Sequence, residues 1–313
     1  MSESVHEVTL EDFARSFGTT VEDIPEECRR LIRDTDFTYE ILAGQKRDRV
    51  ILDVLKKIDS DKQIIGAKER RGVWEKGWAE NLQDFVKSDC DLDSLVPRFI
   101  RPNQTIRLDG NYVLPSNPNF ELDYYNVYRL WLFKKYLPEF DPIYEFGCGT
   151  SFNLVTLARL FPEKKLFGLD FVLSSVELAN KIGQTHKLNI KGRLFDMLSP
   201  DETLTIEKNS AIFTIGAIEQ LASRFEPFLQ FLLGQSPSLC LHVEPTIEFY
   251  DDNNLADYLA KKFHTKRGYT ENYLTRLREL EAQKRIEIIK AKRPYFGSLF
   301  MEGYSYFVWR PFK

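Results

Sequence analysis

The stretch YEFGCGTSFNL, residues 144–154, decides the fold of this chain. An apolar stretch ends at Glu145, Gly147 and Gly149 follow, and apolar residues at helical spacing begin near Phe152. Glycines in such a turn let backbone N–H groups approach a ligand closely at the N-terminus of a helix. The stretch therefore predicts a strand, a ligand-binding glycine loop and a helix, in that order.

Three acids accompany this predicted loop. Asp170 ends the apolar stretch KLFGLD, and its distance from Gly149, 170 − 149 = 21 residues, is close to the roughly 20 at which an acid reaches ribose hydroxyls. Asp196 ends the next such stretch, GRLFD, where a carboxylate could accept a hydrogen bond from an adenine amine. Glu145 stands where a dinucleotide would place its pyrophosphate. An anion there repels phosphate but attracts a cationic amino or sulfonium group.

The two parts of the chain differ in their patterns. In residues 116–313 short apolar strands alternate with helices, which predicts an α/β fold with a parallel sheet and helices on both faces. Residues 1–115 predict a mainly helical N-terminal domain that caps the site, with a hairpin turning at Asp109–Gly110. Trp74 and Trp78 in this domain are interpreted as N-terminal core, with a lid over the ligand as the alternative.

Four stretches resemble, in order and spacing, the motifs of class I (Rossmann-like) S-adenosylmethionine-dependent methyltransferases of the small-molecule type. They are EFGCGTS in the glycine loop, LDFVLSSVELANK, FDML and GAIEQL. The resemblance covers about residues 120–313 and implies a seven-stranded Rossmann-like methyltransferase sheet. It implies S-adenosyl-L-methionine as the cofactor, with contacts at Glu145, Gly147, Gly149, Asp170, Phe171, Asp196, Met197 and Ile215. Two positions depart from the family: Ser151 replaces the third glycine, and Gln220 stands where histidine is frequent.

Two other functions stay open at this point. A nicotinamide dehydrogenase would need glycine at position 152 to complete G-x-G-x-x-G, and Phe152 stands there. A catalytically silent cofactor-binding or scaffold protein would keep the same loop. Nucleic-acid methylation is disfavoured, because the chain has no Asp/Asn-Pro-Pro-aromatic tetrad after the fourth predicted strand and no Pro-Cys nucleophile.

The predicted fifth strand, LCLHVE, supplies the candidate catalytic groups. Ligands of open α/β sheets bind at the carboxyl ends of the strands, so His242 is predicted as a general base and Glu244 as the group that orients it or holds the acceptor. A hydrogen-bonded core histidine is the competing interpretation of His242. Substrate contacts are predicted at Glu219, Tyr250, Arg267 and Tyr269.

The predicted acceptor is small and polar, either a sugar-like hydroxyl or an amine of an amino-acid-like metabolite. The hydroxyl is slightly favoured, because a histidine base suits it at neutral pH. A net charge of −4 gives no field that would hold nucleic acid, and no stretch approaches the roughly 18 apolar residues of a membrane helix. The four cysteines have no C-x-x-C spacing, and no ligand cluster predicts a metal. We therefore expect a cytoplasmic protein without metal, nucleic acid or membrane partners, and a homodimer is left open.

Overall fold

The computed structural model describes residues 4–65 and 70–312. Within them the strands are β1 Val5–Glu7, β2 Thr38–Ile41, β3 Ile106–Leu108, β4 Asn111–Pro115, β5 Ile143–Phe146, β6 Leu166–Asp170, β7 Ile190–Leu194, β8 Ala211–Ile215, β9 Leu239–Val243, β10 Ile286–Lys292, β11 Phe296–Gly297 and β12 Tyr306–Pro311. The α-helices of the same residues are α1 Leu10–Phe17, α2 Glu26–Asp34, α3 Gly44–Ser60, α4 Arg70–Lys87, α5 Phe120–Tyr136, α6 Phe152–Leu160, α7 Leu173–His186, α8 Glu226–Gln235, α9 Leu255–Arg267 and α10 Tyr273–Ala282. Among these described helices, none is both long enough and apolar enough to cross a membrane.

The larger sheet contains seven of these strands in the spatial order β10-β12-β9-β8-β5-β6-β7. Strands β5 to β9 run parallel to one another, whereas β12 is antiparallel to β9 and β10 is antiparallel to β12. The α/β fold with a seven-stranded sheet is therefore confirmed. The order of the strands reverses at β5, which lies between β6 and β8. Ligands of such sheets bind in the crevice at this point, beyond the carboxyl ends of the strands.

Helices cover both faces of this sheet, because successive residues of a strand point to opposite faces. On one face, Ile143 of β5 joins a core with residues of α5, α6 and α7, among them Trp131. On the other face, Tyr144 of β5 joins a core with residues of α8 and α10, and with Phe228 in particular. Each fully buried apolar side chain in these cores stabilises the fold by about 1.5–3 kcal/mol. With both faces buried, the carboxyl edge is the place where the sheet can meet a ligand.

The N-terminal region is less purely helical than predicted. Helices α1 to α4 are present, but β1 to β4 and β11 form a second sheet, in the order β1-β2-β4-β3-β11. The hairpin β3–β4, which turns at Asp109–Gly110, is confirmed. The rest of this sheet escaped sequence reasoning because β1 has three residues and β11 has two. Strand β11 belongs to the predicted C-terminal domain and pairs with β3 of the predicted N-terminal domain, so the two domains share a sheet. The boundary at residue 115 stays a prediction.

A buried ion-pair cluster fastens the N-terminal sheet to the C-terminal part of the chain. Arg107 of β3 lies 3.3 Å from the carboxylate of Asp257 in α9, and Arg293 lies 2.5 Å from the same carboxylate. Glu302 accepts a hydrogen bond from Arg293 at 2.5 Å. All four side chains are buried, so removing one would leave an unpaired buried charge, at a cost of about 3–5 kcal/mol. The cluster therefore fixes the segment that precedes β12.

Candidate functional site

The glycine loop has the geometry that its sequence predicts. After β5, Gly147 and Gly149 adopt φ angles of 75° and 49°, in the left-handed region that favours glycine. A Cβ on Gly147 would lie 2.5 Å from the Cβ of Ala217, so space also requires glycine there, and one on Gly149 would make a tight contact of 3.0 Å with the ring of Trp78. Ser151, in place of the third glycine, adopts a φ of 62° directly before α6 and bears backbone strain there.

A cavity of about 430 Å³ lies beside this loop, at the carboxyl ends of β5, β6 and β8. Its volume is within the range of about 300–1,000 Å³ in which proteins bind small molecules and cofactors. The cavity is lined by Arg71, Trp74, Trp78, Gly147, Asp170, Phe171, Phe195, Asp196, Met197, Leu198, Gly216, Ala217, Gln220, Leu221 and Arg224. The structure thus brings together five of the predicted cofactor residues: Gly147, Asp170, Phe171, Asp196 and Met197. Three others, Glu145, Gly149 and Ile215, do not line the cavity.

Asp170 supports the glycine loop and also faces the cavity. Its Oδ2 accepts a hydrogen bond from the backbone N–H of Gly149 at 3.0 Å, and its Oδ1 accepts one from Val172 at 3.1 Å. Burial raises the pKa of this carboxyl to about 6, although these hydrogen bonds act in the opposite direction. A carboxylate has about four acceptor sites, so these two bonds leave Asp170 able to accept from a ligand hydroxyl.

Helix α4 of the N-terminal region forms one wall of the cavity. Trp74 and Trp78 stack with ring centroids 5.7 Å apart, and both line the cavity. Arg71 lies 3.2 Å from the Oδ2 of Asp196, and its guanidinium lies 5.1 Å from the ring centroid of Phe171. The interpretation of the two tryptophans as N-terminal core is therefore wrong, and the alternative, a lid over the ligand, fits their position.

Glu145 is buried beside the glycine loop with one of its oxygens unpaired. Its Oε1 accepts a hydrogen bond from Asn153 at 2.8 Å, whereas its Oε2 has no hydrogen-bond partner among the residues that the structure describes. Burial raises the pKa of this carboxyl to about 8, because the hydrogen bond from Asn153 and the charge of Arg129 offset only part of the desolvation. Buried polar atoms normally have partners, so this oxygen is an acceptor that a donor outside the described residues could satisfy.

The two predicted catalytic residues do not line the cavity. His242 in β9 is fully buried; its Nδ1 lies 2.9 Å from the hydroxyl of Thr214 and its Nε2 lies 3.3 Å from that of Tyr273. Burial lowers the pKa of His242 to about 3. Glu244, directly after β9, accepts hydrogen bonds from Thr214 and from three backbone N–H groups that follow β8. A general base must reach the proton that it removes. These positions fit the competing interpretation of His242, a hydrogen-bonded core histidine.

The predicted substrate residues are distributed over three places outside the cavity. Tyr250 packs against an arginine of the buried ion-pair cluster, with 4.9 Å between guanidinium and ring centroid. Arg267 donates to Asp61 at 2.9 Å and to the hydroxyl of Tyr269 at 3.1 Å, and these bonds fasten α9 to the end of α3. Glu219 belongs to the loop after β8 but is not a lining residue. The structure does not bring these four residues together, and their contact with a substrate stays a prediction.

Sequence reasoning missed cavity residues that come from three elements. The first group is Arg71 of α4 alone. The second group, Phe195 and Leu198, follows β7. The third group follows β8 and consists of Gly216, Ala217, Gln220, Leu221 and Arg224. The stretch GAIEQL was the available signal for most of this group. Nothing in the sequence distinguishes Arg71 or Arg224 from other surface arginines.

No protein-family model matches the sequence, and no curated protein matches it. One similar solved structure is the cyclase SpnF, with a TM-score of 0.47, 11% identity, and 68% of this chain and 88% of that chain covered. A second is geranyl diphosphate C-methyltransferase from Streptomyces coelicolor A3(2), in complex with Mg²⁺, geranyl diphosphate and S-adenosyl-L-homocysteine. It has a TM-score of 0.45 and 11% identity, with 76% of this chain and 98% of that chain covered.

A third similar structure is a methyltransferase from Aquifex aeolicus that depends on S-adenosylmethionine. It has a TM-score of 0.40 and 15% identity, with 57% of this chain and 88% of that chain covered. Two of these three proteins are therefore methyltransferases. All three TM-scores lie below 0.5. The fold of this chain therefore rests on its own strand order and on its glycine loop.

Proposed function

We propose that the chain binds S-adenosyl-L-methionine in the cavity at the carboxyl edge of the sheet and uses it to methylate a small polar molecule. One observation carries the proposal: the cavity adjoins a glycine loop, and beside that loop the buried carboxylate of Glu145 has an unpaired oxygen. This arrangement favours a ligand with a nucleoside part for the cavity and a positively charged group for the carboxylate. Phe152 stands where the dinucleotide-binding motif needs its third glycine, which disfavours the dehydrogenase alternative.

The residues of the site fit the parts of this cofactor. Asp170 would accept hydrogen bonds from the ribose hydroxyls, and Asp196 would accept one from the adenine amine. Phe171 and Met197 offer apolar surface to the flat base. The unpaired Oε2 of Glu145 would accept a hydrogen bond from the cofactor's ammonium group. When bound, the cofactor supplies a methyl group that its sulfonium makes electrophilic.

The chain's own contribution is alignment and the exclusion of water. Alignment of two reactants supplies a large part of the rate in group transfer, and it depends on a site that does not shift. Asp170 holds the glycine loop through the N–H of Gly149. Trp74 and Trp78 line one wall of the cavity with apolar rings, which would keep water from that side of a bound cofactor.

For the acceptor we propose an amine of an amino-acid-like metabolite rather than a sugar-like hydroxyl. The preference for a hydroxyl depended on His242 as the base. The burial of His242 and its pKa of about 3 disfavour that role. Support for an amine comes from Glu121 in the first turn of α5, which is 5% exposed and accepts a hydrogen bond from Tyr304 at 3.3 Å. Burial raises the pKa of Glu121 to about 7. Glu121 does not line the cavity, so we propose it as a group whose negative charge favours an amine nearby, and not as a base in contact with the acceptor.

Glu121 and Glu145 belong to one buried polar cluster beside the glycine loop. The ring of the tyrosine that donates to Glu121 lies 5.2 Å from the ring of Tyr125, whose hydroxyl donates to Asn153 at 3.0 Å. Asn153 in turn donates to Glu145. Arg129, the cation of this cluster among the described residues, directs its hydrogen bonds to amide and carbonyl oxygens. Two carboxyls without an ion-paired arginine favour two positive ligand groups, one on the cofactor and one on the acceptor.

Calorimetric titration with S-adenosylhomocysteine tests the cofactor part of the proposal. We expect one site per chain and no binding of NAD. Binding of NAD without S-adenosylhomocysteine would support the dehydrogenase alternative, and binding of neither would overturn the proposal.

The acceptor part is tested with a methyl-labelled donor and fractions of a metabolite extract, followed by mass spectrometry of the products. Label on an amine supports the proposal. Label on a sugar hydroxyl would overturn the acceptor class but not the reaction, and label on protein, RNA or DNA would overturn the small-molecule assignment. Bound S-adenosylhomocysteine with no labelled product from any fraction would favour the scaffold alternative.

A further inference from the structure

The loop after β8, residues 216–222, forms part of the cavity wall; we call it the β8 loop. The cavity-lining residues of the β8 loop are Gly216, Ala217, Gln220 and Leu221. Ala217 also limits the approach of the glycine loop, because a Cβ on Gly147 would lie 2.5 Å from the Cβ of Ala217. The position of the β8 loop therefore sets the space between these two parts of the wall.

One side of the β8 loop is held by the carboxylate of Glu244. Its Oε1 accepts hydrogen bonds from the backbone N–H groups of Ala217 at 3.2 Å and Ile218 at 3.1 Å. Its Oε2 accepts one from the N–H of Glu219 at 3.1 Å, and Oε1 also accepts from the hydroxyl of Thr214 at 2.7 Å. The backbone N–H of Glu244 donates to the residue that precedes β12, at 2.8 Å, so the carboxylate is itself fixed to the sheet.

The other side of the β8 loop is held by Thr270, which lies between α9 and α10. Its Oγ1 lies 2.6 Å from the carbonyl oxygen of Ile218 and 2.8 Å from that of Ala222, so its single proton is shared between them. Its N–H donates to the carbonyl of Glu219 at 3.1 Å. Glu244 thus binds the N–H groups of the loop, and Thr270 binds its carbonyl groups. Both side chains are buried, and neither lines the cavity.

We propose that Glu244 and Thr270 form a clamp that positions the β8 loop for cofactor binding without touching the ligand. The inference rests on the proposed function. A carboxylate is needed on the N–H side, because it is the side chain that accepts at two oxygens and donates at neither. A buried charge is costly unless it is hydrogen-bonded, and the four bonds to Glu244 offset that cost. Glu244 is therefore a positioning residue and not the base or acceptor ligand that its place at a strand end suggested.

Three nearly isosteric variants test the clamp: Glu244→Gln, Thr270→Val and, as a matched control, Thr246→Val. Thr246 is 4% exposed, like the 6% of Thr270, but its hydroxyl donates to the backbone carbonyl of Glu244 and not to the β8 loop. Three quantities are measured for each variant: the hydrogen exchange of the amides of residues 217–219 without ligand, the Kd for S-adenosylhomocysteine, and the thermal unfolding midpoint.

In Glu244→Gln we expect faster exchange of these amides and a Kd raised about tenfold, or about 1.4 kcal/mol, because the amide group turns a donor towards a loop N–H. In Thr270→Val we expect a Kd raised about threefold to tenfold, since neutral hydrogen bonds are lost. In Thr246→Val both the exchange and the Kd should stay within about twofold of the wild type. The double variant Glu244→Gln/Thr270→Val should lose less affinity than the sum of the single losses, because both act on one loop.

Unchanged exchange and unchanged Kd in both Glu244→Gln and Thr270→Val would overturn the clamp. A raised Kd in Glu244→Gln with unchanged exchange would also overturn it, because Glu244 would then act on the ligand directly. If Glu244→Gln does not fold, Thr270→Val carries the same test. If the wild type does not bind S-adenosylhomocysteine, the proposed function fails, and amide exchange then still tests the clamp by itself.

Discussion

Glu145 and Glu244 lie at the same edge of the sheet and differ in what their oxygens bind. Both are almost fully buried, with exposures of 1% and 3%, and burial raises the pKa of the first to about 8 and of the second to about 7. Glu244 accepts four hydrogen bonds from the protein, whereas Glu145 accepts one and leaves Oε2 unpaired. The number of free acceptor sites therefore separates a carboxylate available to a ligand from one that supports the fold.

The same difference separates the two halves of the sheet edge. Beyond β5, β6 and β7 the acids border a cavity, and Asp170 and Asp196 line it directly. Beyond β8 and β9, four side chains are joined by successive hydrogen bonds. They run from Tyr273 through His242 and Thr214 to the carboxylate of Glu244. The hydroxyl of Thr214 lies 2.7 Å from the Oε1 of Glu244 and 2.9 Å from the Nδ1 of His242. These four groups form an internal hydrogen-bond chain, and none of them lines the cavity.

The largest effect on cofactor affinity is expected for Asp170→Ala, on the cavity half. The variant loses a carboxylate that faces the ligand and also its hydrogen bonds from Gly149 and Val172. One or two charge-assisted hydrogen bonds at about 1.5–3 kcal/mol each predict a Kd for S-adenosylhomocysteine raised at least about tenfold. Asp201→Asn is the control, because Asp201 is a half-exposed acid that pairs with Arg193 and Thr203 and does not line the cavity. An unchanged Kd in folded Asp170→Ala would remove Asp170 from the site.

Glu145→Gln should raise the Kd about tenfold and should also change the proton balance of binding. With a pKa of about 8, Glu145 is mostly protonated at pH 7 in the free protein, and a bound ammonium group would lower that pKa. The wild type should therefore release a proton on binding, so its affinity should rise with pH between about 6.5 and 8. Calorimetry in two buffers of different ionisation enthalpy measures this release. Equal proton release in Glu145→Gln and in the wild type would contradict the assignment.

Replacing both lid tryptophans, in Trp74→Phe/Trp78→Phe, should weaken S-adenosylhomocysteine binding by about threefold to tenfold, the range of an aromatic contact. The change should also remove most of the fluorescence response to the ligand. The other two tryptophans, Trp131 and Trp309, are fully buried in the two cores and remain as an unresponsive background. A full fluorescence response in the double variant would place the ligand away from α4.

The smallest effect on affinity is expected for His242→Gln, on the hydrogen-bonded half. Binding should stay within about twofold of the wild type and turnover should persist, whereas the free energy of unfolding should fall by about 1–3 kcal/mol because buried partners lose a bond. His242 has a pKa lowered to about 3, so the unfolded chain binds its proton first as the pH falls below about 6.5. The wild type should therefore lose stability from about pH 6.5 downwards, and the loss should be shallower in the variant. Urea unfolding at pH 7 and pH 5 measures both effects. Loss of turnover with intact binding would restore His242 as a catalytic candidate.

Much of the fold could be predicted from local patterns. The alternation of strands and helices after residue 116 predicted the sheet, and Asp109–Gly110 predicted the β3–β4 hairpin. The sheet that contains β11 could not be predicted in this way, because β11 has two residues and pairs with a strand far away in the sequence. Of the cofactor residues, five line the cavity, whereas the helix that covers it, α4, had a pattern that equally suited a core helix.

The sequence by itself determined the strand, the glycine loop and the helix at residues 144–154, because glycine is the residue that tolerates left-handed φ angles and close backbone approach. It also determined that acids stand at the ends of neighbouring strands. Only the tertiary structure decided which of these acids remain free for a ligand. The donors that occupy Glu244 come from residues 25 to 30 positions earlier in the chain, and the ring that covers Gly149 comes from α4. Hydrogen bonds of a buried side chain are made with its neighbours in space, and sequence periodicity does not encode those neighbours.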